Sequence, residues 1–376
     1  MLRVILEGLV KRYGSISAVD GASFELRPGG MNYVLGPSGA GKTTLARLLA
    51  GLETLDDGEI YFGDRMVQEV APHDRGVGMV FQDLGLWPGL TVVENVAYPL
   101  RLRKLARHER RHRIAETLTA LRIDSLAGRR PDQLTPQQRI RTALARAMVT
   151  QPELLILDEP LGALNPRARE ECWDDLRRIH AEAAITTLVL SSDSDEALAL
   201  ANHLAVMDLG RIVQVGPTHE LYNRPADVFV ARLLGPTNLL QGQVESQGSD
   251  LRGEVVVRTP LGRLVGRSSP GAPGQGAPVT ISVRPDTLAV ATTVPAGWNR
   301  FPATIEGITF RGALRQIQAR GPGDWPILVS VLQSQSQGLR EGQSLTLSVA
   351  PEHVVVLPGK FALGGASNGA GGTALS

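Results

Sequence analysis

Eight consecutive residues, Gly36-Pro37-Ser38-Gly39-Ala40-Gly41-Lys42-Thr43, limit most strongly what this chain can become. They fit G-x-x-x-x-G-K-[ST], with an apolar run before them and a helical pattern after them, the context that this loop requires. Glycines let the backbone wrap closely around a phosphate, and the N–H groups of the loop and the helix N-terminus stabilise its negative charge. The segment Gly36 to Thr44 is therefore expected to cradle nucleotide phosphates. Lys42 would reach the β- and γ-phosphates, and Thr43 would place its hydroxyl on Mg²⁺. A glycine-rich turn without a ligand has no need of strand, loop and helix in that order.

A second signal is Leu154-Leu155-Ile156-Leu157-Asp158-Glu159-Pro160. Four apolar residues read as a buried strand, and two carboxylates stand at its C-terminal end, where open α/β sheets bind ligands. Asp158 is expected to hold Mg²⁺ through water, and Glu159 to orient and deprotonate the attacking water. Alone, the two acids could equally cap the next element. Paired with the phosphate loop, they read as a hydrolytic site.

Around these motifs β-rich runs alternate with helical patterns, which argues for a mostly parallel sheet covered by helices. Strands are expected at Met31–Leu35, Val77–Phe81, Leu154–Leu157, Thr187–Leu190 and Leu204–Met207, and helices at Lys42–Ala50, Glu109–Leu121, Pro136–Val149, Arg167–Ala181 and Asp195–Ala201. Near Gly235-Pro236 the texture changes to short alternating strands: Leu251–Arg258, Val279–Arg284, Ala303–Thr309, Ile327–Leu332 and Ser344–Val349. Their separators are rich in Gly, Pro and Ser, above all Ser268–Pro278, the pattern of a small β-barrel or sandwich. A length of 376 residues also exceeds one compact core. The expected organisation is an α/β domain over 1–235, a β-rich domain over 236–360 and a disordered Gly/Ala/Ser-rich tail over 361–376.

Net charge is +1 with 20% charged residues, so bulk charge gives no reason to expect a nucleic acid. The single cysteine, Cys172, excludes an internal disulfide and suits a reducing compartment. The N-terminal residues lack the charged and apolar regions of a signal peptide, and no window approaches the roughly 18 apolar residues of a membrane helix. A membrane role must then come through a partner.

With both motifs placed, the chain resembles the ATP-binding subunits of ABC transporters over nearly all of residues 1–235. That resemblance implies a P-loop NTPase core with a helical subdomain, and ATP and Mg²⁺ as cofactors. Tyr13 sits where the family stacks an aromatic ring on adenine. Val77-Gly78-Met79-Val80-Phe81-Gln82-Asp83 resembles the glutamine loop, so Gln82 is expected to contact metal and water and to join Lys42 and Glu159 in catalysis. The segment Arg139 to Ala147 resembles the helix after the family signature. The helical subdomain covers about 87–153, and its part from Trp87 to about Pro131 would dock on the membrane subunits. Its basic run, Arg101-Leu102-Arg103-Lys104 with Arg107, Arg110, Arg111 and Arg113, reads as a solvated helix face, since no aromatic residues interleave to stack bases. The β-rich region resembles the C-terminal domain of ATPases serving binding-protein-dependent importers, the group that includes maltose, polyamine, ferric-iron and sulfate systems. Ile281-Ser282-Val283-Arg284-Pro285-Asp286 and Phe229 to Asn238 carry that likeness. In relatives such domains stabilise a dimer or bind regulators.

Three departures stand out. The usual signature Leu-Ser-Gly-Gly-Gln here reads Leu134-Thr135-Pro136-Gln137-Gln138. In the family this segment gives a hydroxyl and backbone N–H groups to the γ-phosphate held by the other subunit. Thr135 keeps a hydroxyl, Pro136 has no N–H, and Gln137 brings a side chain where the family has none. Ser191-Ser192-Asp193 stands where the family has Thr-His-Asp, so Ser192 replaces the switch histidine. Asn165 closes Ala163-Leu164-Asn165, where the family usually has Asp.

The reading is an ATP-hydrolysing subunit that powers import of a solute. It would work as a homodimer or heterodimer on permease subunits at the cytoplasmic face of the membrane, served indirectly by an extracytoplasmic solute-binding protein. The departures motivate an alternative, a slow or non-hydrolytic regulatory subunit beside an active paralogue. Ferric iron, polyamine, sulfate-type anions and sugars are the solutes that the resemblance suggests, with a lean toward the first two.

Overall fold

The structure is a computed structural model, and it describes residues 1–101, 103, 105–162, 164–247, 254–269, 273–290 and 295–360. The expected tail 361–376, the start of the expected strand Leu251–Arg258, part of the separator Ser268–Pro278, Leu102 and Lys104 of the basic run, and Ala163 lie outside the described residues.

The chain divides into two compact units, one of Met1–Tyr222 with Leu233–Gly235, the other of Asn223–Arg232 with Pro236–Ser376. In the first unit, strands β1 (Val4–Tyr13), β2 (Ile16–Leu26), β3 (Met31–Leu35), β4 (Asp57–Phe62), β5 (Arg65–Met66), β6 (Val77–Val80), β7 (Leu154–Asp158), β8 (Thr186–Ser191), β9 (His203–Asp208) and β10 (Arg211–Pro217) form two sheets. One has the order β10-β9-β3-β8-β7-β6 and the other β2-β1-β4-β5. The larger sheet is parallel from β9 to β6, with β10 added antiparallel at its edge. Its strands β3, β7 and β8 are buried at every position, as continuous apolar runs covered on both faces must be. The antiparallel sheet is a feature the sequence reading did not contain. Its strands alternate imperfectly because β1 carries register shifts between Leu6 and Val10, which break the period-2 pattern.

Helices α1 (Lys42–Ala50), α2 (Val92–Arg101), α3 (Arg107–Ala120), α4 (Pro136–Met148), α5 (Pro166–Ala183), α6 (Ser194–Leu200) and α7 (Thr218–Asn223) complete the unit. Leu45, Leu48 and Leu49 of α1 join Val34, Ile156, Leu188 and Leu190 of the sheet and Leu6 and Ile60 of the antiparallel layer in one core. That core fixes the end of α1 that carries Lys42. Arg75 is 5% exposed and donates to Leu48 O and Leu49 O near the other end of α1 and to Gln68 O and Val70 O. A buried guanidinium so used satisfies the helix's terminal carbonyls.

The second unit opens at Asn223 and takes in α8 (Val228–Leu233) up to Arg232. Strands β11 (Asn238–Gln247), β12 (Glu254–Thr259), β13 (Gly262–Ser268), β14 (Pro278–Val283) and β20 (Val354–Pro358) close a barrel in the order β11-β12-β13-β20-β14. Strands β15 (Ala289–Val290), β16 (Asn299–Arg311), β17 (Leu314–Gly321), β18 (Trp325–Leu332) and β19 (Ser344–Val349) form a further sheet, and both share one apolar core. Arg284, 6% exposed, donates to Ala231 O at 2.9 Å and Pro236 O at 3.2 Å. The Arg-Pro-Asp turn thus ties the junction segment to the barrel. Asn223–Arg232 cluster with the barrel unit, where Ala231 is buried against Val355 and Leu357.

Candidate functional site

The loop Gly36–Gly41 joins β3 to α1, and its glycines answer two different needs. A Cβ on Gly36 would meet Met207 O at 2.3 Å, and one on Gly41 would meet Ala18 O at 2.1 Å, so the neighbouring backbone leaves no room for it. Gly39 has open space around it but a φ of 82°, which L side chains disfavour. Gly41 caps α1 with no side-chain hydrogen bond, which leaves the first-turn N–H groups free for an anion. Pro37, Ser38 and Gly39 face solvent, while Ala40 is buried. Gly36 N donates to Ser191 O at 3.2 Å, which anchors the loop to the end of β8.

Lys42 is 4% exposed, and its ammonium donates to Gly36 O at 2.8 Å and Pro37 O at 3.0 Å. Its third neighbour is Glu159 Oε1 at 3.2 Å. Those three contacts match the three N–H donors of an ammonium. The Glu159 side chain also accepts from Gln82 Nε2 at 3.4 Å. Glu159 has φ 46°, and its backbone is held by N–H donation to Leu190 O at 2.9 Å and by acceptance from Gly162 N at 3.2 Å. A non-glycine residue in this region stores about 1–3 kcal/mol, which the surrounding structure must fix, and such positions cluster at functional sites.

Thr43 Oγ1 donates to Asp158 Oδ1 at 3.2 Å. Asp158 is 2% exposed, has no ion-pair partner among the described residues, and burial pushes its carboxyl above the usual range. A buried carboxylate next to a hydroxyl is a hard-oxygen donor pair suited to Mg²⁺, which takes one or two protein oxygens and completes its shell with phosphate and water. The fold thus brings Lys42, Thr43, Gln82, Asp158 and Glu159 together from α1, the loop after β6, and the end of β7. Thr44 is half-buried in the first turn of α1. Tyr13 ends β1 with 44% exposure, its ring 5.5 Å from the Lys11 ammonium.

Of the other predicted residues, Thr135, Pro136, Gln137 and Asn165 line a separate cleft, and Gln138 and Ser192 do not. Thr135, Pro136, Gln137, Leu164, Asn165, Arg167, Ala168 and Glu171 surround about 290 Å³ where the N-termini of α4 and α5 meet. Thr135 Oγ1 accepts from Gln138 N at 3.3 Å and Thr135 N donates to Gln138 Oε1 at 3.0 Å, a reciprocal capping box. Pro136 occupies the first helical position, where no N–H is needed. Gln137 Nε2 donates to Glu171 Oε2 at 2.6 Å. Asn165 caps α5 by accepting from Ala168 N at 2.9 Å. Ser192 is exposed on the loop after β8.

Beneath that loop lies a network the sequence reading missed. Ser191 Oγ donates to Glu196 Oε2 at 3.0 Å and accepts from Asp193 N at 3.1 Å, while Tyr33 Oη donates to Glu196 Oε1 at 3.4 Å. Burial pushes Glu196 up to about 7. Arg169 of α5 pairs with Asp193 and donates to Leu164 O at 3.2 Å, so the loop holding Asn165 and the loop holding Ser192 share one arginine. A second cluster was also missed: Arg146 lies 4.9 Å over the Trp87 ring and donates to Leu84 O and Gly85 O, bracing the loop after Gln82. Each cluster depends on residues far apart in sequence, Tyr33 and Arg169 with Ser191–Glu196 in the first and Arg146 with Leu84–Trp87 in the second, so no local motif marks it.

Residues 19–162 match the family model described as ABC transporter, and residues 281–357 match the TOBE domain model. The chain is 36% identical over 362 residues to the spermidine/putrescine import ATP-binding protein PotA of Rubrobacter xylanophilus, covering 95% of this chain and 94% of that protein. The chain belongs to the ABC transporter family. It is an ATP-binding subunit of the importer type within it. The sulfate/thiosulfate import ATP-binding protein CysA of Nitrosomonas europaea is 41% identical over 263 residues, covering 69% of this ABC subunit and 72% of that one. Among solved structures, an ATP-binding cassette in a dimeric post-hydrolysis state bound to ADP and Pi aligns with a TM-score of 0.51 at 27% identity, over 57% of this chain and 98% of that one. The cbiO1 subunit from Clostridium perfringens, part of the ABC transporter complex cbiONQ, aligns with a TM-score of 0.55 at 27% identity, over 58% and 90%. Among the described residues of this ABC subunit, no helix is long and apolar enough to cross a membrane.

Proposed function

We propose that this chain binds ATP and Mg²⁺ in the Gly36–Thr44 cradle and hydrolyses the ATP as one half of a dimer of ATPase subunits. The dimer powers import through membrane permease subunits from the cytoplasmic face, with a solute-binding protein delivering cargo on the far side. The observation that carries this reading is the convergence of Lys42, Thr43, Gln82, Asp158 and Glu159. Lys42 and the loop N–H groups bind the phosphates, and Glu159 orients a water and accepts its proton while Gln82 steadies the Glu159 carboxylate. Mg²⁺ held by Thr43 and Asp158, with Gln82 nearby, would neutralise charge that builds on the phosphates. Exposed Tyr13 offers a face for the adenine ring. The chain is similar both to a spermidine/putrescine and to a sulfate/thiosulfate import ATP-binding protein, so the likeness favours the ATPase role without choosing between a cationic and an anionic cargo.

One observation favours slow turnover, or a partner subunit with an ordinary signature. The cleft that would receive the partner's γ-phosphate has Pro136 in place of an N–H donor and a Gln137–Glu171 bond across it. Thr135 still has its O–H to donate, since the cap uses its oxygen only as an acceptor. The test is Mg²⁺-dependent ATP turnover of the purified chain with nucleotide affinity measured in parallel. Turnover abolished in Glu159→Gln supports a self-sufficient motor. Tight ATP binding without turnover refutes it and supports dependence on a partner.

A further inference from the structure

Charge in this molecule is segregated. Residues 101–130 hold ten of the 39 Lys and Arg but three of the 38 Asp and Glu, a net +7 in a chain whose total is +1, so the rest carries −6. The structure places much of that excess on α3 and the turn before it. Arg107 and Arg111 are exposed one helical turn apart, His108 and His112 are exposed beside them, and Arg110 sits half-buried at the edge of the same face. Arg101 and Arg103 precede the helix and are exposed too, the latter donating to Thr150 O at 3.0 Å. The two acids of α3 are engaged within it, Glu109 with Arg113 at 2.7 Å and Glu116 with His112 at 3.2 Å. Among the described ion pairs, Arg101, Arg107, Arg110 and Arg111 have no acidic partner. The buried residue of α3 is Leu118, with Ile114 half-buried a turn earlier, and the exposed side carries no large apolar side chain. Such a face does not insert into hydrocarbon. Charge is the attraction it has to offer a surface.

We propose that the arginine face of α3, with Arg101, docks on the anionic lipid headgroups of the bilayer beside the permease. The proposal rests on the importer reading for the presence of a bilayer, and on the charge map for the contact. A planar anionic surface fits an open basic face without pockets or aromatic rings. The −6 carried by the rest of the chain repels that surface, so attraction through residues 101–130 also sets which side of the molecule faces the membrane. Single-stranded nucleic acid is favoured less, because no aromatic side chain interleaves with the arginines to stack bases.

The test is co-sedimentation of the full chain with vesicles of phosphatidylcholine alone and with about 30 mol% phosphatidylglycerol. An arginine near such a surface contributes about fivefold in partitioning, so Arg107→Gln/Arg110→Gln/Arg111→Gln is expected to lower binding about a hundredfold. Binding to the anionic vesicles, its loss in about 0.5 M salt and its loss in the triple variant are the expected results. A control, Arg65→Gln/Arg258→Gln/Arg263→Gln, removes the same charge elsewhere and should bind as the parent does. Circular dichroism and Mg²⁺-ATP turnover check that both variants fold. Absent binding, equal binding to neutral vesicles, or equal loss in the control overturns the proposal. So does tighter, equally arginine-dependent binding to a 30-base RNA or a DNA duplex, which would assign the face to nucleic acid. Failure here with turnover intact leaves the ATPase reading standing, whereas absent turnover with vesicle binding intact separates the two the other way.

Discussion

Replacing Glu159 by Gln should lower turnover and tighten nucleotide binding at once. The second effect follows from the donors of Lys42. Its three N–H groups are directed at Gly36 O at 2.8 Å, Pro37 O at 3.0 Å and Glu159 Oε1 at 3.2 Å. A phosphate that takes one of them must displace a partner, and the longest contact, the one to Glu159, is the one to yield. The pair is sheltered, with 4% of the Lys42 side chain and 19% of that of Glu159 exposed, so its strength lies above that of a surface pair, at about 1–2 kcal/mol. Gln keeps the shape but not the charge. ATP affinity should rise about five- to thirty-fold. The hydrolytic step loses its base, and turnover should fall about 10²–10⁴-fold. Isothermal titration with ATP and Mg²⁺ gives the affinity, and a phosphate-release assay gives the rate. Retained turnover would remove Glu159 from the chemistry. Unchanged or weaker ATP binding would show that its carboxylate does not compete for Lys42.

Three further outcomes are expected. Pro136→Gly/Gln137→Gly restores a backbone donor and opens the cleft now bridged by Gln137 and Glu171; turnover should rise tenfold or more, within the roughly 10²–10³ that such a donor supplies, although α4 loses about 1–2 kcal/mol. No gain with ATP affinity intact would mean that this cleft does not limit the rate. Ser192→His puts a ring nitrogen on an exposed loop position, and steady-state turnover should increase; an unchanged rate argues against the missing histidine as the cause of slow hydrolysis. Burial raises the Glu196 carboxyl from 4.5 to about 7, so the folded state keeps a proton that the unfolded chain releases within that window. Stability should therefore fall as pH rises from about 4.5 to 7 and stay at the lower level above it. Glu196→Gln should flatten that dependence and add up to about 3 kcal/mol at pH 8, read from urea midpoints at pH 5 and pH 8. A parent midpoint equal at both would refute it.

The phosphate loop, the paired carboxylates and the helix after the signature were legible because each is local. A strand, a glycine turn and a helix are neighbours in the chain, and the spacing of Gly36, Gly41 and Lys42 already dictates how backbone and ammonium can surround a phosphate. The same holds for β3 and α1, whose bounds the sequence reading matched residue for residue, since a continuous apolar run and a glycine on each side of a helix leave little freedom. The β-rich region was readable from its alternation as barrel-like, which the closed barrel bears out, but the additional five-stranded sheet was not. The first antiparallel sheet was missed because bulges in β1 hide its period.

What the amino-acid order determined alone was the chemistry available: a phosphate cradle, two carboxylates, and a signature without its usual donors. Only the tertiary structure decided who meets whom. It set Glu159 in a left-handed conformation against Lys42, used the Thr135 oxygen and Asn165 as helix caps, joined Gln137 to Glu171, and buried Glu196 under Ser191 and Tyr33. The two caps and the Ser191–Glu196 bond are local, but Lys42–Glu159, Gln137–Glu171 and Tyr33–Glu196 join residues far apart in the chain, and their geometry depends on how the parallel sheet orders its strands, which is a property of the packed core rather than of any one segment.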